Sequence, residues 1–118
     1  MKLLNSSALM LLPLPPYLEW INGLPAEISE LEQPLPAGAL DDEGRVYLIA
    51  EFEPDSLVQP VLAEHWQALL ENELGAWDEL GLHWPEPLTQ ALLLQWFRIK
   101  PLALAFDASK QPLQTAQL

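Results

Sequence analysis

The sequence predicts a small α+β domain that is rich in helix and has a small sheet. Leucine dominates the apolar residues, while the β-branched Val and Ile are few, which favours helix over strand. The segment RVYLIAEFE at 45–53 alternates as a strand does, and the segment from about 56 to 74 carries apolar residues at helical spacing. The predicted order of elements is helix, strand, helix, helix, strand.

The N-terminal part is predicted to be an extended segment followed by the first helix. Residues 8–14 are apolar, and we interpret them as an extended edge segment closed by prolines. The first helix is predicted to begin near Pro16, which suits a first turn, and to end at Gly23. A short helical turn is predicted from 26 to 31.

Two strands are predicted around a pair of helices. Both faces of the strand 45–53 are apolar at its centre, so we expect it to be an inner strand. The second strand is predicted from 98 to 105, and Pro101 favours an edge or strand-entry position. The helices between them are long enough for a parallel pair joined by a right-handed crossover, and an antiparallel pair stays open.

The two helices of this pair are predicted from their apolar positions and from their ends. Asp55 or Ser56 is expected to cap the first, and Gly75 is a candidate to end it. The second is expected to open at Pro85 and Pro87 and to be the most buried helix. We expect Trp66 and Trp96 to be buried and to face each other's helices. The predicted stripe of the first helix is Val58, Leu62, Trp66, Leu69, Leu70 and Leu74.

Composition excludes several classes of function. The chain has 118 residues with 17 acids, 5 bases and a formal net charge of −12, which argues against binding to nucleic acid or to anionic membrane surfaces. There is no cysteine, so no disulfide, thiolate nucleophile or cysteine metal site is expected. The N-terminal run MKLLNSSALMLLPLPP is broken by polar residues and prolines, so we expect a cytoplasmic protein and no signal peptide. Residues 1–107 are predicted as one domain and 108–118 as a flexible tail.

The segment from Val46 to Phe97 holds no lysine or arginine. Most of its acids cannot form a local salt bridge, so they face either water or a positively charged partner. The segment also holds four of the five tryptophans of the chain, Trp66, Trp77, Trp84 and Trp96. Its acids are Glu51, Glu53, Asp55, Glu64, Glu71, Glu73, Asp78, Glu79 and Glu86.

A surface around Trp77 is the predicted partner-binding site. Tryptophan among exposed acids can bind cationic groups through cation–π contact, and acids near a helix C-terminus oppose helix stability, which favours a binding role. The competing interpretation is a solvated acidic loop anchored to the core by its tryptophans. The residues of the predicted site are Glu71, Glu73, Trp77, Asp78, Glu79, His83 and Trp84.

The chain does not carry a catalytic pattern, so we expect a protein that is not an enzyme and that needs no cofactor or metal. The two histidines, His65 and His83, are the only candidates for acid–base chemistry. His65 has Val61 and Leu69 at helical spacing, which gives no metal-binding pair. No serine lies in a nucleophile elbow, and no glycine-rich phosphate loop is present.

Part of the chain resembles a set of short, uncharacterised bacterial proteins. The resemblance covers residues 46–107 and rests on Glu51-Phe52, on E-x-E-L-x-x-W from Glu71 to Trp77, on Trp84-Pro85, and on W-F-x-I from Trp96 to Ile99. The chain departs from the pattern after Pro85, where those proteins show a more polar helix start. The resemblance implies an α+β fold and implies no activity.

Three classes of function follow from the sequence. The first is a non-enzymatic acidic interaction domain that binds a protein with a basic surface, as an immunity-type or anti-activator protein does. The second is a small secretion-type chaperone or adaptor with an apolar groove, which the surplus of leucine and the proline-rich start favour. The third is a small hydrolase or enzyme subunit that uses His83 with nearby acids.

Overall fold

The computed structural model describes residues 1–53 and 58–118, and it shows helices packed on a small antiparallel sheet. The expected caps Asp55 and Ser56 lie outside the described residues. The strands are β1 (Lys2–Leu3), β2 (Ser6–Pro13), β3 (Arg45–Ala50), β4 (Phe97–Leu102) and β5 (Phe106–Asp107). The helices are α1 (Pro15–Asn22), α2 (Ala26–Ser29), α3 (Gln59–Gly75) and α4 (Gln90–Trp96).

The N-terminal strand β2 is the centre of the main sheet. The strand order is β3-β2-β4, with both pairs antiparallel, and β1 pairs separately with β5. The predictions of an edge segment at 8–14 and of an inner strand at 45–53 were therefore wrong. The predicted order of elements is not confirmed, because it leaves out β1, β2, α2 and β5. The two strands predicted from the sequence, which correspond to β3 and β4, are not neighbours in the sheet. They run in the same direction, because each is antiparallel to the strand between them.

Strand β2 occupies the centre because its alternate residues are apolar and bury completely. Leu9 and Leu11 have no exposed surface, and they face the helices together with Ile49 of β3 and Phe97 of β4. A central strand must be apolar where it meets the helix layer and needs a partner on each side, which β2 has from Ala8 to Leu11. The main core therefore lies between this face of the sheet and the helices.

Helix α1 is held to the sheet by aromatic side chains. It starts at Pro15 and ends before Gly23, which confirms the predicted helix within one residue. The ring of Tyr17 packs on Phe97, with 4.6 Å between ring centroids, and on Trp20, with 5.8 Å between centroids. Trp96 closes the cluster at 5.9 Å from Trp20. Offset and tilted aromatic pairs at these distances stabilise a packing interface beyond the area they bury.

The two later helices confirm part of the prediction. Helix α3 begins at Gln59 with Pro60 in its first turn, and it buries Leu62, Leu69, Leu70 and Leu74. Helix α4 begins at Gln90 and not at the prolines, because the Thr89 hydroxyl accepts a hydrogen bond from the Leu92 N–H at 3.1 Å.

Helix α4 is also less buried than expected. Leu93 is its only buried residue, and Leu94 is 44% exposed. A seven-residue helix has one face on the core, so Leu93 is buried, Leu92 is half-buried against the core and Leu94 faces water. Trp66 and Trp96 are half-buried and not fully buried, and Trp96 packs on Tyr17 and Trp20.

The C-terminal residues lie outside the packed helices and sheet. Residues 108–118 are exposed throughout. None of the helices in the described parts of the chain is long and apolar enough to cross a membrane.

Truncation of the central strand tests the sheet order. Leu9→Ala should lower the free energy of unfolding by about 2–5 kcal/mol, because it leaves a cavity beneath both neighbouring strands. Leu104→Ala is the matched control, since Leu104 is 64% exposed and should cost little. Urea titration of both variants measures the difference, and equal, small losses would contradict a central β2.

Candidate binding site

A carboxylate is buried at the C-terminal end of α3. The Glu73 side chain is 2% exposed, and it lies on the same helix face as Leu69 and Leu70. One of its oxygens accepts hydrogen bonds from the Tyr47 hydroxyl and, at 3.3 Å, from the Arg45 guanidinium. Its backbone carbonyl accepts a hydrogen bond from the Tyr17 hydroxyl at 2.6 Å. These contacts compensate for burying an acid and join α3 to both α1 and β3.

Burial perturbs the acid–base behaviour of this cluster. It raises the pKa of Glu73 above its ordinary value of 4.5, although the Tyr47 hydrogen bond and the charge of Arg45 oppose the change. Burial and the hydrogen bond to the Glu73 carboxylate raise the pKa of Tyr47 to about 12. Burial, followed by the charge of Glu73, also raises the pKa of Tyr17. Perturbed groups beside a cleft are typical of functional sites, though structural networks produce them too.

Asp78 organises the loop that follows α3. Its side chain is 1% exposed, and its two oxygens accept hydrogen bonds from the N–H groups of Leu82, at 3.2 Å, and His83, at 2.7 Å. Gly81 has a φ of 71°, a left-handed conformation that glycine adopts without strain, and its N–H donates to the Asp78 carbonyl. The loop is therefore a compact turn built around one carboxylate.

Two tryptophans fasten this loop to the rest of the molecule. The Trp84 indole N–H donates to the Asp78 carbonyl at 2.9 Å, and the Trp20 indole N–H donates to the His83 carbonyl at 3.0 Å. The second bond ties the loop to α1. The bond of Trp84 lies within the loop, but its ring packs against the hydrophobic core, so Trp84 is an anchor, as the alternative interpretation of the sequence predicted. The loop therefore has a defined shape on which other side chains can be presented.

Trp77 lies between two adjoining depressions, which together we call the Trp77 cleft. The larger has a volume of about 450 Å³ and the smaller about 360 Å³, and Ile28, Glu30, Ala76 and Trp77 line both. The cleft is bounded on one side by α2 and on the other by the end of α3. The charged residues that line it are the acids Glu27, Glu30, Glu43, Glu73, Asp78 and Glu79 and the base Arg45.

The backbone adds to the negative character of the Trp77 cleft. Helix α3 ends here, and the C-terminal end of a helix carries a partial negative charge from its aligned peptide dipoles. Glu30 closes α2 with a φ of 61°, in the left-handed region that a residue with a side chain seldom adopts. The chain therefore holds an acid at this rim in a conformation that glycine would adopt at lower cost.

The structure divides the predicted site residues into two groups. Glu73 and Asp78 were expected to face a partner, but both are buried and hydrogen-bonded within the protein, which corrects that expectation. Charge reversal of Glu73 or Asp78 would break the hydrogen-bond network that each of them holds. The others remain at the surface: Glu79 and His83 are exposed, and Glu71, Trp77 and Trp84 are half-buried.

Several residues of the site were missed from the sequence. Tyr17, Arg45 and Tyr47 hold Glu73, and the amide of Asn72 donates to the Tyr47 hydroxyl at 2.9 Å. One signal was available, because Glu73 follows Leu69 and Leu70 at helical spacing and so falls on the apolar stripe. On the other wall, Glu27 and Glu30 belong to the short helix α2 and its end, and Glu43 to the loop that follows; no sequence pattern places them against α3.

Neither a metal site nor a known relative assigns a function to the Trp77 cleft. In residues 1–53 and 58–118, no group of three or more His, Cys, Asp or Glu side chains is arranged to hold a metal ion. The chain matches no protein-family model, no curated protein and no solved structure in the three comparisons made. The resemblance to short bacterial proteins therefore stays a prediction, and the site rests on its own geometry.

Both tyrosines of the chain belong to the Glu73 cluster, so their ionisation reports on it. We expect little tyrosinate in the folded protein at pH 10.0, the ordinary phenol pKa, because burial and the hydrogen bond to the Glu73 carboxylate raise the pKa of Tyr47 to about 12. Because the pKa of Tyr47 is higher in the folded protein than in the unfolded chain, the neutral phenol stabilises the fold. This stabilisation is complete below pH 10.0 and is lost as the pH rises through the pKa of the folded protein. Ultraviolet titration of tyrosinate checks this, and a transition of the folded protein near the ordinary value would contradict it.

The buried carboxylate predicts a second pH dependence. Because the pKa of Glu73 is raised in the fold, its contribution to stability is complete below the ordinary value of 4.5 and is lost as the pH rises through the folded value. Glu73→Gln should therefore flatten the fall in unfolding free energy above that pH. Glu79→Gln removes one exposed carboxylate and is the matched control. Urea titrations at several pH values compare the two variants, and identical pH profiles would show that Glu73 does not contribute.

Proposed function

We propose that the protein is a non-enzymatic interaction domain that binds a protein with a basic surface in the Trp77 cleft. The observation that carries the proposal is the cleft itself, which gathers six acids and one base around a half-buried indole. A concave site with convergent charge and an aromatic wall favours a lysine or arginine side chain.

Each part of the cleft has a role in this proposal. The exposed acids Glu30, Glu43 and Glu79 supply the long-range attraction. The ring of Trp77 supplies cation–π contact and apolar area, and aromatic residues are frequent anchors at interfaces. Glu73 shapes the floor through its bonds to Tyr47 and Arg45 and does not itself need to touch the partner.

The net charge of the chain supports the same proposal. A formal charge of −12 attracts cationic proteins over distances of a Debye length, about 8 Å at physiological salt. Charge of this kind acts mainly on the association rate, while the buried centre of an interface sets the lifetime of the complex. We therefore expect a partner whose association is fast at low salt and slows as salt increases.

A small chaperone or adaptor is the second candidate. Leu80 and Leu82 line the smaller depression and are 80% and 67% exposed, so an apolar segment of a client has a surface to contact. Binding of that kind depends on apolar area and weakens little as salt increases. Affinity capture from native lysate at low and high salt, with the wild-type chain and the variants below in parallel, separates the two candidates.

Variants of the Trp77 cleft test the binding site. Trp77→Ala should weaken capture of a basic partner by about 2 kcal/mol or more, the range of an interface anchor, and mainly by faster dissociation. Glu79→Lys should slow association at low salt. Glu64→Lys makes the same charge change on an exposed residue of α3 that does not line the cleft, and it is the matched control. A partner that all three variants bind as the wild type does would place the interface elsewhere.

A further variant separates binding from folding. Glu30→Gly removes a cleft carboxylate and relieves a left-handed backbone strain of about 1–2 kcal/mol, so it should weaken binding while it stabilises the fold. Thermal unfolding and partner binding of this variant are measured together. A destabilised protein, or one with unchanged binding, would contradict the role given to Glu30.

A further inference from the structure

The two edges of the main sheet are unlike each other. Strand β4 carries Arg98, Lys100 and Pro101, and charged residues and proline are the usual means by which an edge strand prevents pairing with other chains. Strand β3 carries none of these between Val46 and Ala50, and its ladder with β2 runs residue for residue without a bulge. The β4 edge is thus protected against pairing with another chain, and the β3 edge is not.

The free side of β3 is open among the residues that the structure describes. In residues 1–53 and 58–118 no second strand pairs with it, and no backbone hydrogen bond outside the sheet involves its residues 46–50. On the face of the sheet away from the core, Val46 is 58% exposed and Leu48 is 54% exposed. An open backbone edge that is flanked by apolar side chains favours the addition of another strand.

We propose that the free edge of β3 pairs with β3 of a second copy of this chain, antiparallel and about a two-fold axis at Leu48. This register sets Arg45 of one copy opposite Glu51 of the other, so that each interface holds two opposite-charge pairs. It also sets Tyr47 opposite Ile49 and Val46 opposite Ala50. Two three-stranded sheets then form one continuous sheet of six strands.

Neighbouring registers lack this complementarity. A shift by one residue turns the apolar residues of one copy to the opposite face, which the pleat of a sheet does not allow. An axis at Tyr47 sets Arg45 opposite Ile49, and an axis at Ile49 sets Tyr47 opposite Glu51. The Leu48 register alone opposes charge to charge and apolar residue to apolar residue along the whole strand.

The residues of the proposed charge pair are accessible. The Arg45 side chain is 43% exposed, and its guanidinium has five N–H donors, of which one contacts Glu73. Glu51 is exposed and follows directly after the strand. Pairing two short strands buries a modest area, so the dimer should form and dissociate with protein concentration.

Sedimentation equilibrium over a wide range of concentration at physiological salt tests the proposal. The wild-type chain should form a concentration-dependent dimer. The amide hydrogens of residues 46–50 that point to the free edge, and not those already paired with β2, should exchange more slowly as the dimer forms. Leu48→Lys should weaken the dimer about tenfold or more, because it sets two lysines against each other at the axis. Leu104→Lys places the same change on an exposed residue outside the sheet and should leave the dimer unchanged.

A charge variant tests the register and does not depend on the first one. Glu51→Arg should weaken the dimer about tenfold, because it turns two attractive pairs into repulsive ones. Glu64→Arg, with the same charge change on α3, should leave it unchanged. Circular dichroism confirms that each variant is folded. A wild-type chain that stays monomeric at every concentration overturns the proposal, as does a dimer that neither Leu48→Lys nor Glu51→Arg weakens.

Discussion

The buried carboxylate of Glu73 connects the three parts of the molecule on which the rest of the structure depends. Its side chain accepts hydrogen bonds from Tyr47 and Arg45 of β3, and its backbone carbonyl accepts one from Tyr17 of α1. Because a buried acid without such partners is strongly unfavourable, these donors hold the C-terminal end of α3 against α1 and β3. That position also fixes where Trp77 and the loop after the helix begin, and so it fixes one wall of the Trp77 cleft.

The acids of the chain therefore serve two different purposes, which composition does not separate. Glu73 and Asp78 are internal groups that set the geometry of a helix end and of a loop, whereas Glu30, Glu43 and Glu79 remain exposed around the cleft. The internal acids make the site rigid, and the exposed acids give it charge. A binding surface built in this way needs little rearrangement on association, which reduces the entropic cost of binding.

The same strand contributes to both proposed surfaces. On its core-facing side β3 supplies Arg45 and Tyr47 to the Glu73 cluster, and at its free edge it offers an unpaired backbone. Arg45 belongs to both, since one guanidinium nitrogen contacts Glu73 and the side chain is still partly exposed. Pairing of two copies would therefore hold the floor of each cleft in place, because it fixes the strand on which that floor is built.

The sequence by itself determined the local elements, because helix and strand periodicity are properties of neighbouring residues. It placed α1, the strand at β3 and the apolar stripe of α3 correctly, and it located Trp77 in an acidic region. Tertiary structure alone decided which strand is central, since Leu9 and Leu11 become core residues only once strands from 45–50 and 97–102 pair on either side of them. It also decided that Glu73 is an internal group: its carboxylate meets the Tyr47 hydroxyl across 26 positions of the chain, a contact that no local pattern encodes.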